Sequence, residues 1–180
     1  MFIARSLSDR LKHLFEVFPI VVVVGARQVG KTTLLKHLFG KEAEIVTFDP
    51  IIDVENARVE PDLFLENHSR PIILDEIQYA PELLSALKKC VDKNPRPGQF
   101  LLTGSEQWSV IKNMSESLAG RAILLNLDSL SLTEIGKRDA KQSWLARWLK
   151  DPKKFKFTGR MPLKYPLYEQ LWRGFLPKAQ

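Results

Sequence analysis

PIVVVVGARQVGKTT, Pro19–Thr33, joins an unbroken apolar run to a glycine-bracketed turn and a polar helix opening. Ile20–Val24 is apolar at every position, as expected of a strand buried on both faces of a parallel sheet. Residues 25–32, GARQVGKT, fit the pattern G-x-x-x-x-G-K-[ST] without a mismatch. Gly25 and Gly30 let the backbone curl so that successive N–H groups point at phosphate oxygens, and the helix that follows adds the positive end of its dipole. Lys31 is placed to reach the β- and γ-phosphates, the Thr32 hydroxyl to ligate Mg²⁺, and Thr33 to touch the α-phosphate. Ala26, Arg27, Gln28 and Val29 complete the cradle. The Arg27 side chain is expected to serve packing or a salt bridge. The ligand these residues specify is a nucleoside triphosphate, read here as ATP with Mg²⁺.

Outward from this turn, strand and helix patterns alternate. Leu7–Phe18 predicts an amphipathic helix, and residues 34–39 a short one that Gly40 ends. Ile45–Phe48 and Pro71–Leu74 predict further strands, with a helix-loop-helix broken by Pro61 between them. Pro81 opens a helix whose buried face is Leu83, Leu84, Leu87, Cys90 and Val91. Phe100–Thr103 and Ala122–Leu127 are strands on either side of a helix over 106–118. The alternation argues for a three-layer α/β fold with a mainly parallel, five-stranded sheet, the P-loop NTPase arrangement.

Three further segments carry chemistry. IILDEIQ, Ile72–Gln78, delivers Asp75 at the carboxyl end of a strand, the edge where open α/β sheets bind ligands. Asp75 is the expected second metal residue beside Thr32, and Glu76 the candidate base that polarises an attacking water. LLTGS, Leu101–Ser105, brings Thr103 and Ser105, either of which could orient that water; the alternative for Ser105 is a helix N-cap. ESLAGR ends in Arg121, a candidate for neutralising transition-state charge.

The net charge of +6 is uneven. Residues 1–136 carry 15 basic and 18 acidic side chains, whereas residues 137–180 carry 12 basic and 3 acidic. The expected organisation is therefore an ATPase core over 1–136 and a basic, Trp-containing tail over 137–180. Leading into and along the tail, Ser131–Leu149 reads as helix with Trp144 and Trp148 four residues apart, and Asp151–Pro166 as a Lys- and Pro-rich linker. Interleaved Trp144, Trp148, Phe155 and Phe157 make single-stranded nucleic acid a candidate partner, against the alternative that the aromatics pack inward and the lysines are solvated. No apolar run approaches the ~20 residues of a membrane span, and one cysteine, Cys90, forms no internal disulfide. The expected compartment is the cytoplasm.

GARQVGKTTLLKHL, FDPIIDVENARVEPDLFL, IILDEIQYAPELLSALKKCVD, FLLTGSEQWSV, SESLAGRAILLNLDSLSLTEI and, more loosely, LWRGFLP occur in this order. In that order they resemble a bacterial and archaeal group of AAA+ ATPases whose core precedes a C-terminal domain of unknown function. The resemblance covers residues 1–136 and rests most specifically on the TGS, SLAGR and LSLTE segments. It implies a core of the additional-strand, catalytic-glutamate type, in which one strand separates the P-loop strand from the DEIQ strand and Glu76 serves as base. It also implies that a lid or a neighbouring subunit of a homo-oligomer completes the site. The chain stops just past LWRGFLP, so a truncated architecture with slow hydrolysis is expected, with Leu171, Trp172, Phe175 and Leu176 exposed as a cluster. The competing reading is a nucleotide-binding switch with negligible turnover. A GTPase is disfavoured because no N-K-x-D motif follows the turn, and a small-molecule kinase because adjacent carboxylates suit water better than a second substrate.

Overall fold

The computed structural model describes residues 2–48, 54–105, 108–136, 144–154, 156 and 163–179. It divides into two units, Leu7–Asp128, and Met1–Ser6 with Ser129–Gln180. The division falls earlier than the 136/137 boundary expected from charge, and it takes the N-terminal residues with the C-terminal segment. The physical reason is a buried ion pair. Arg5 Nε donates to Glu134 Oε1 at 3.3 Å, and the Ser6 N–H donates to the same oxygen at 2.6 Å.

The larger unit begins with α1 (Ser8–Phe15), β1 (Ile20–Gly25), α2 (Lys31–Phe39), β2 (Glu44–Thr47), α3 (Val54–Val59) and α4 (Pro61–Glu66). It continues with β3 (Ile72–Asp75), a 3₁₀ turn at Ile77–Tyr79, α5 (Leu83–Lys93), β4 (Phe100–Ser105), α6 (Trp108–Ser117) and β5 (Ala122–Asn126). The five strands form one sheet in the order β2-β3-β4-β1-β5, with every pairing parallel. β4 lies between the P-loop strand and the acidic strand, as the family resemblance implies.

Continuous apolar strands have this outcome because a central strand flanked by helices has no wet face. Val21, Val22 and Val23 are fully buried, as are Ile73, Leu74, Leu101 and Leu102. Helix α5 buries Leu83, Leu84, Leu87 and Val91 at three-to-four-residue spacing, each contributing about 1.5–3 kcal/mol of transfer free energy. Cys90, on the same helix, is only partly buried.

In the smaller unit the helix expected over Ser131–Leu149 is not continuous. The short helix α7 (Leu132–Ile135) is opened by a capping box in which the Ser131 hydroxyl accepts from the Glu134 N–H and the Ser131 N–H donates to Glu134. It stops at Gly136, whose N–H closes on the last turn. Residues 137–143 lie outside the described residues, and α8 is Trp144–Lys150. A further helix, α9 (Leu167–Arg173), forms just past the Asp151–Pro166 stretch read as linker. On it Tyr168 and Trp172 are 86% and 92% exposed, and Leu171 is also exposed, as is Leu176 beyond it; Phe175, the remaining member of the cluster expected there, is half-buried. Phe155 and Phe157 lie outside the described residues. Among the described residues, no helix is long and apolar enough to cross a membrane.

Candidate nucleotide-binding site

The sheet register assembles the site. Gly25 pairs with Ser105 across β1 and β4, and Leu74 pairs with Leu102 across β3 and β4, which sets Asp75 beside Thr103. The carboxyl edges of three adjacent strands thus converge around the turn from Gly25 to Gly30. Gly25 is required by close approach, because a Cβ there would meet the Leu127 carbonyl oxygen at 2.3 Å. Gln28 (φ 67°) and Gly30 (φ 96°) both take left-handed backbone. For Gln28 this costs about 1–2 kcal/mol, a strain that points successive N–H groups into one concavity. Gly30 is also the N-cap of α2 and offers no side-chain cap, so the first-turn N–H groups are open to an anion.

Lys31 is 6% exposed, and its Nζ donates to the carbonyl oxygens of Gly25 and Ala26 at 2.9 and 3.0 Å. These two bonds fold the ammonium back over its own loop and leave one donor uncommitted. Val29 is buried and anchors the turn to the core. Ala26 and Thr33 are exposed. Arg27 is exposed too and forms no ion pair among the described residues, contrary to the packing or salt-bridge role expected of it. Its side chain lines a cavity of about 460 Å³ together with Lys31, Glu76, Gln78, Tyr79 and Ser105.

Asp75 is buried, and its partners are all neutral. Thr32 Oγ1 donates to Asp75 at 2.7 Å (Oδ1) and 3.0 Å (Oδ2), and Thr103 Oγ1 donates to Oδ1 at 2.6 Å. No cationic side chain pairs with it among the described residues. A buried carboxylate ordinarily pairs with a cation or coordinates a metal. One carboxylate and one hydroxyl at the edge of a phosphate cradle form a donor set that suits Mg²⁺, which keeps most of its shell for water and phosphate oxygens.

The two hydroxyl candidates separate. Thr103 is fully buried, gives its proton to Asp75 and accepts the Glu76 N–H at 2.9 Å, so it braces the two acids from below and is not free to orient water. Ser105 ends β4 as a strand residue, lines the cavity, and has a buried Oγ with no hydrogen-bond partner among the described residues. Glu76 itself takes left-handed backbone (φ 61°, ψ 46°) directly after β3, and it lines the same cavity as Lys31. Arg121 is not brought to this edge. It precedes β5, at the opposite edge of a parallel sheet, and its guanidinium donates to both Asp92 oxygens at 2.7 and 3.0 Å and to the Ala119 carbonyl.

A residue that sequence reasoning passed over also belongs here. Gln78, two positions past Glu76, donates through Nε2 to Glu76 Oε2 and accepts the Ser105 N–H through Oε1 at 3.3 Å. The only signal for it is the final letter of DEIQ.

A family described as an AAA domain matches residues 17–136. The chain belongs to the AAA domain family. Its P-loop, acidic strand and five-stranded parallel sheet are those of an AAA+ P-loop ATPase domain. Uncharacterized proteins of Mycobacterium tuberculosis and Mycobacterium bovis are each 38% identical over 142 residues, covering 78% of this chain and 32% of theirs. The chain therefore spans about a third of the length of the curated relatives it matches. Among solved structures, a RuvB variant of Thermotoga maritima matches with a TM-score of 0.51 at 21% identity, covering 76% of this chain and 49% of that one. A Walker-type ATPase of Pyrococcus abyssi matches with a TM-score of 0.51 at 15% identity, covering 83% and 63%. At these identities the likeness speaks to the fold.

Proposed function

We propose that this AAA domain binds ATP with Mg²⁺ and hydrolyses it to ADP and phosphate. The observation that carries the reading is the Thr32–Asp75–Thr103 cluster, a buried acid held, among the described residues, by neutral hydroxyls beside the P-loop. Backbone N–H groups from Gly25 to Thr33 receive the phosphates, and Lys31 exchanges its bonds to Gly25 and Ala26 for β- and γ-phosphate oxygens. Thr32 and Asp75 would hold Mg²⁺, which when bound neutralises charge on the β- and γ-phosphates. Glu76 accepts a proton from the attacking water as the bond between the γ-phosphorus and its bridging oxygen breaks. Ser105, with its hydroxyl uncommitted, is the better of the two candidates for orienting that water. Thr103 acts indirectly, by bracing Asp75 and Glu76.

Arg121 acts on this chain's own nucleotide in none of these steps, because Asp92 holds it at the far edge of the sheet. Its part in hydrolysis would be played on the site of a neighbouring copy in a homo-oligomer. The cations lining the cavity in this chain are Lys31 and Arg27, so binding with slow turnover is expected of a lone copy, and a nucleotide switch remains the second reading.

The test pairs two variants. Lys31→Ala should abolish ATP binding in calorimetry without changing the melting profile. Glu76→Gln should bind Mg²⁺-ATP as the parent does while turnover falls by about 10²-fold or more. Parent-like affinity in the first variant would remove the P-loop assignment, and parent-like turnover in the second would remove the base.

A further inference from the structure

We propose that Gln78 is the positioning residue for Glu76, holding the carboxylate so that one oxygen faces the attacking water. The proposal rests on the hydrolytic reading above. Glu76 stands at a vulnerable place for a base. It follows the last residue of β3, its backbone is left-handed, and a three-residue 3₁₀ turn begins at once, closed by the Tyr79 N–H on the Glu76 carbonyl at 3.0 Å. The backbone is thereby well fixed, by Thr103 below and by the turn ahead, but a glutamate side chain on such a corner keeps its own rotamer freedom. That freedom carries an entropic cost each time a reactive geometry is reached.

The Gln78 amide removes it. Nε2 donates to Glu76 Oε2, and Oε1 receives the Ser105 N–H from the end of β4. The two partners permit only one orientation of the amide. Flipped, the carbonyl oxygen would face a carboxylate and the NH₂ would face an N–H, both repulsive. With Oε2 so held, Oε1 is the oxygen left to accept a proton from water in the cavity that Lys31, Ser105 and Glu76 line. Gln78 also ties the Glu76 carboxylate to the strand end that carries the uncommitted Ser105 hydroxyl, fixing the two groups relative to each other.

Three variants test this in the full chain, with nucleotide affinity by calorimetry and single-turnover hydrolysis as readouts. Gln78→Ala should bind Mg²⁺-ATP with the parent affinity and lower the hydrolysis rate by about 10–100-fold, the scale of a misplaced reacting group. In a Glu76→Gln background the same change should add no further loss, since a residue acting through another has nothing left to act on. Gln78→Glu sets two carboxylates against each other, which must share a proton to keep the contact. Its hydrolysis rate should therefore fall as pH rises through the range where the parent rate is level, a signature that a packing role would not produce. Parent-like hydrolysis in Gln78→Ala, or a full second loss on top of Glu76→Gln, overturns the proposal. If Glu76→Gln itself hydrolyses at the parent rate, the base assignment falls and this proposal with it. If Glu76→Gln is slow and Gln78→Ala is not, only the proposal falls.

Discussion

Asp75 and Glu134 are both buried acids, yet their surroundings are opposite in kind. Asp75 takes hydrogen bonds from two threonine hydroxyls at the edge of the phosphate cradle. Glu134 takes the Arg5 guanidinium and Ser6 N–H on Oε1 and the Ser131 N–H on Oε2. Burial pushes the Glu134 carboxyl up, but the Ser131 and Ser6 N–H groups and the charge of Arg5 outweigh it and hold the carboxyl below the usual range. Hydroxyls rotate and can turn their lone pairs toward a metal, whereas backbone N–H groups and a guanidinium can only donate. On the proposed reading, the acid satisfied by rotatable neutral donors is the one that takes a cation, whereas the acid satisfied by fixed donors and a cation is already paired. Burial alone does not distinguish them.

The isosteric amide separates the two most sharply. Asp75→Asn keeps an oxygen for both hydroxyls but removes the charge a metal needs. Turnover and the Mg²⁺ dependence of nucleotide binding should fall by about 10²-fold or more, while the melting temperature without ligand stays level or rises as a buried charge is lost. A lowered ligand-free melting temperature would mean that Asp75 is structural after all. Glu134→Gln should do the reverse. One of its two oxygens becomes an NH₂ facing a donor, and Arg5 loses its counter-charge, so stability in denaturant titration should drop by about 3 kcal/mol, with the ATP affinity kept. A loss of nucleotide affinity that matches the loss of stability would break the contrast.

The smallest effect is with pH. The Glu134 carboxyl is held lower in the folded chain than in the unfolded one, so its contribution is fully present above the ordinary glutamate value of about 4.3. It is lost as pH falls through the folded-state value. Stability measured between neutral pH and pH 3 should therefore decline in the parent more steeply than in Glu134→Gln. Parallel curves would remove Glu134 as the source.

Much of the site was legible in the sequence because the P-loop is a local device. Glycine positions, a lysine and a threonine at fixed spacing define it, and Gly25, Gly30, Lys31 and Thr32 stand where those constraints require. The parallel sheet was legible for a similar reason, since apolar runs alternating with amphipathic helices leave few other layerings. Boundaries shifted by one to three residues, except in the tail, where α9 forms and Gly136 interrupts a helix that periodicity alone would have continued.

The sequence by itself determined that a phosphate cradle follows a buried strand, that two acids follow another, and that the chemistry of both suits a nucleotide with a metal. Tertiary structure alone decided how the remaining polar residues are divided. Thr103 and Ser105 look alike in LLTGS, but strand register buries one against Asp75 and opens the other to the cavity. Arg121 and Arg27 are both arginines near a glycine, yet the parallel direction of β5 sends the first to the far edge, onto Asp92, and leaves the second on the cradle. Gln78 meets Glu76 locally, but it acquires its second partner only because β4 inserts between β1 and β3 and brings the Ser105 N–H within reach. A local motif carries its geometry in its own spacing. A contact between strands depends on register and order, which are set by the packing of the whole sheet.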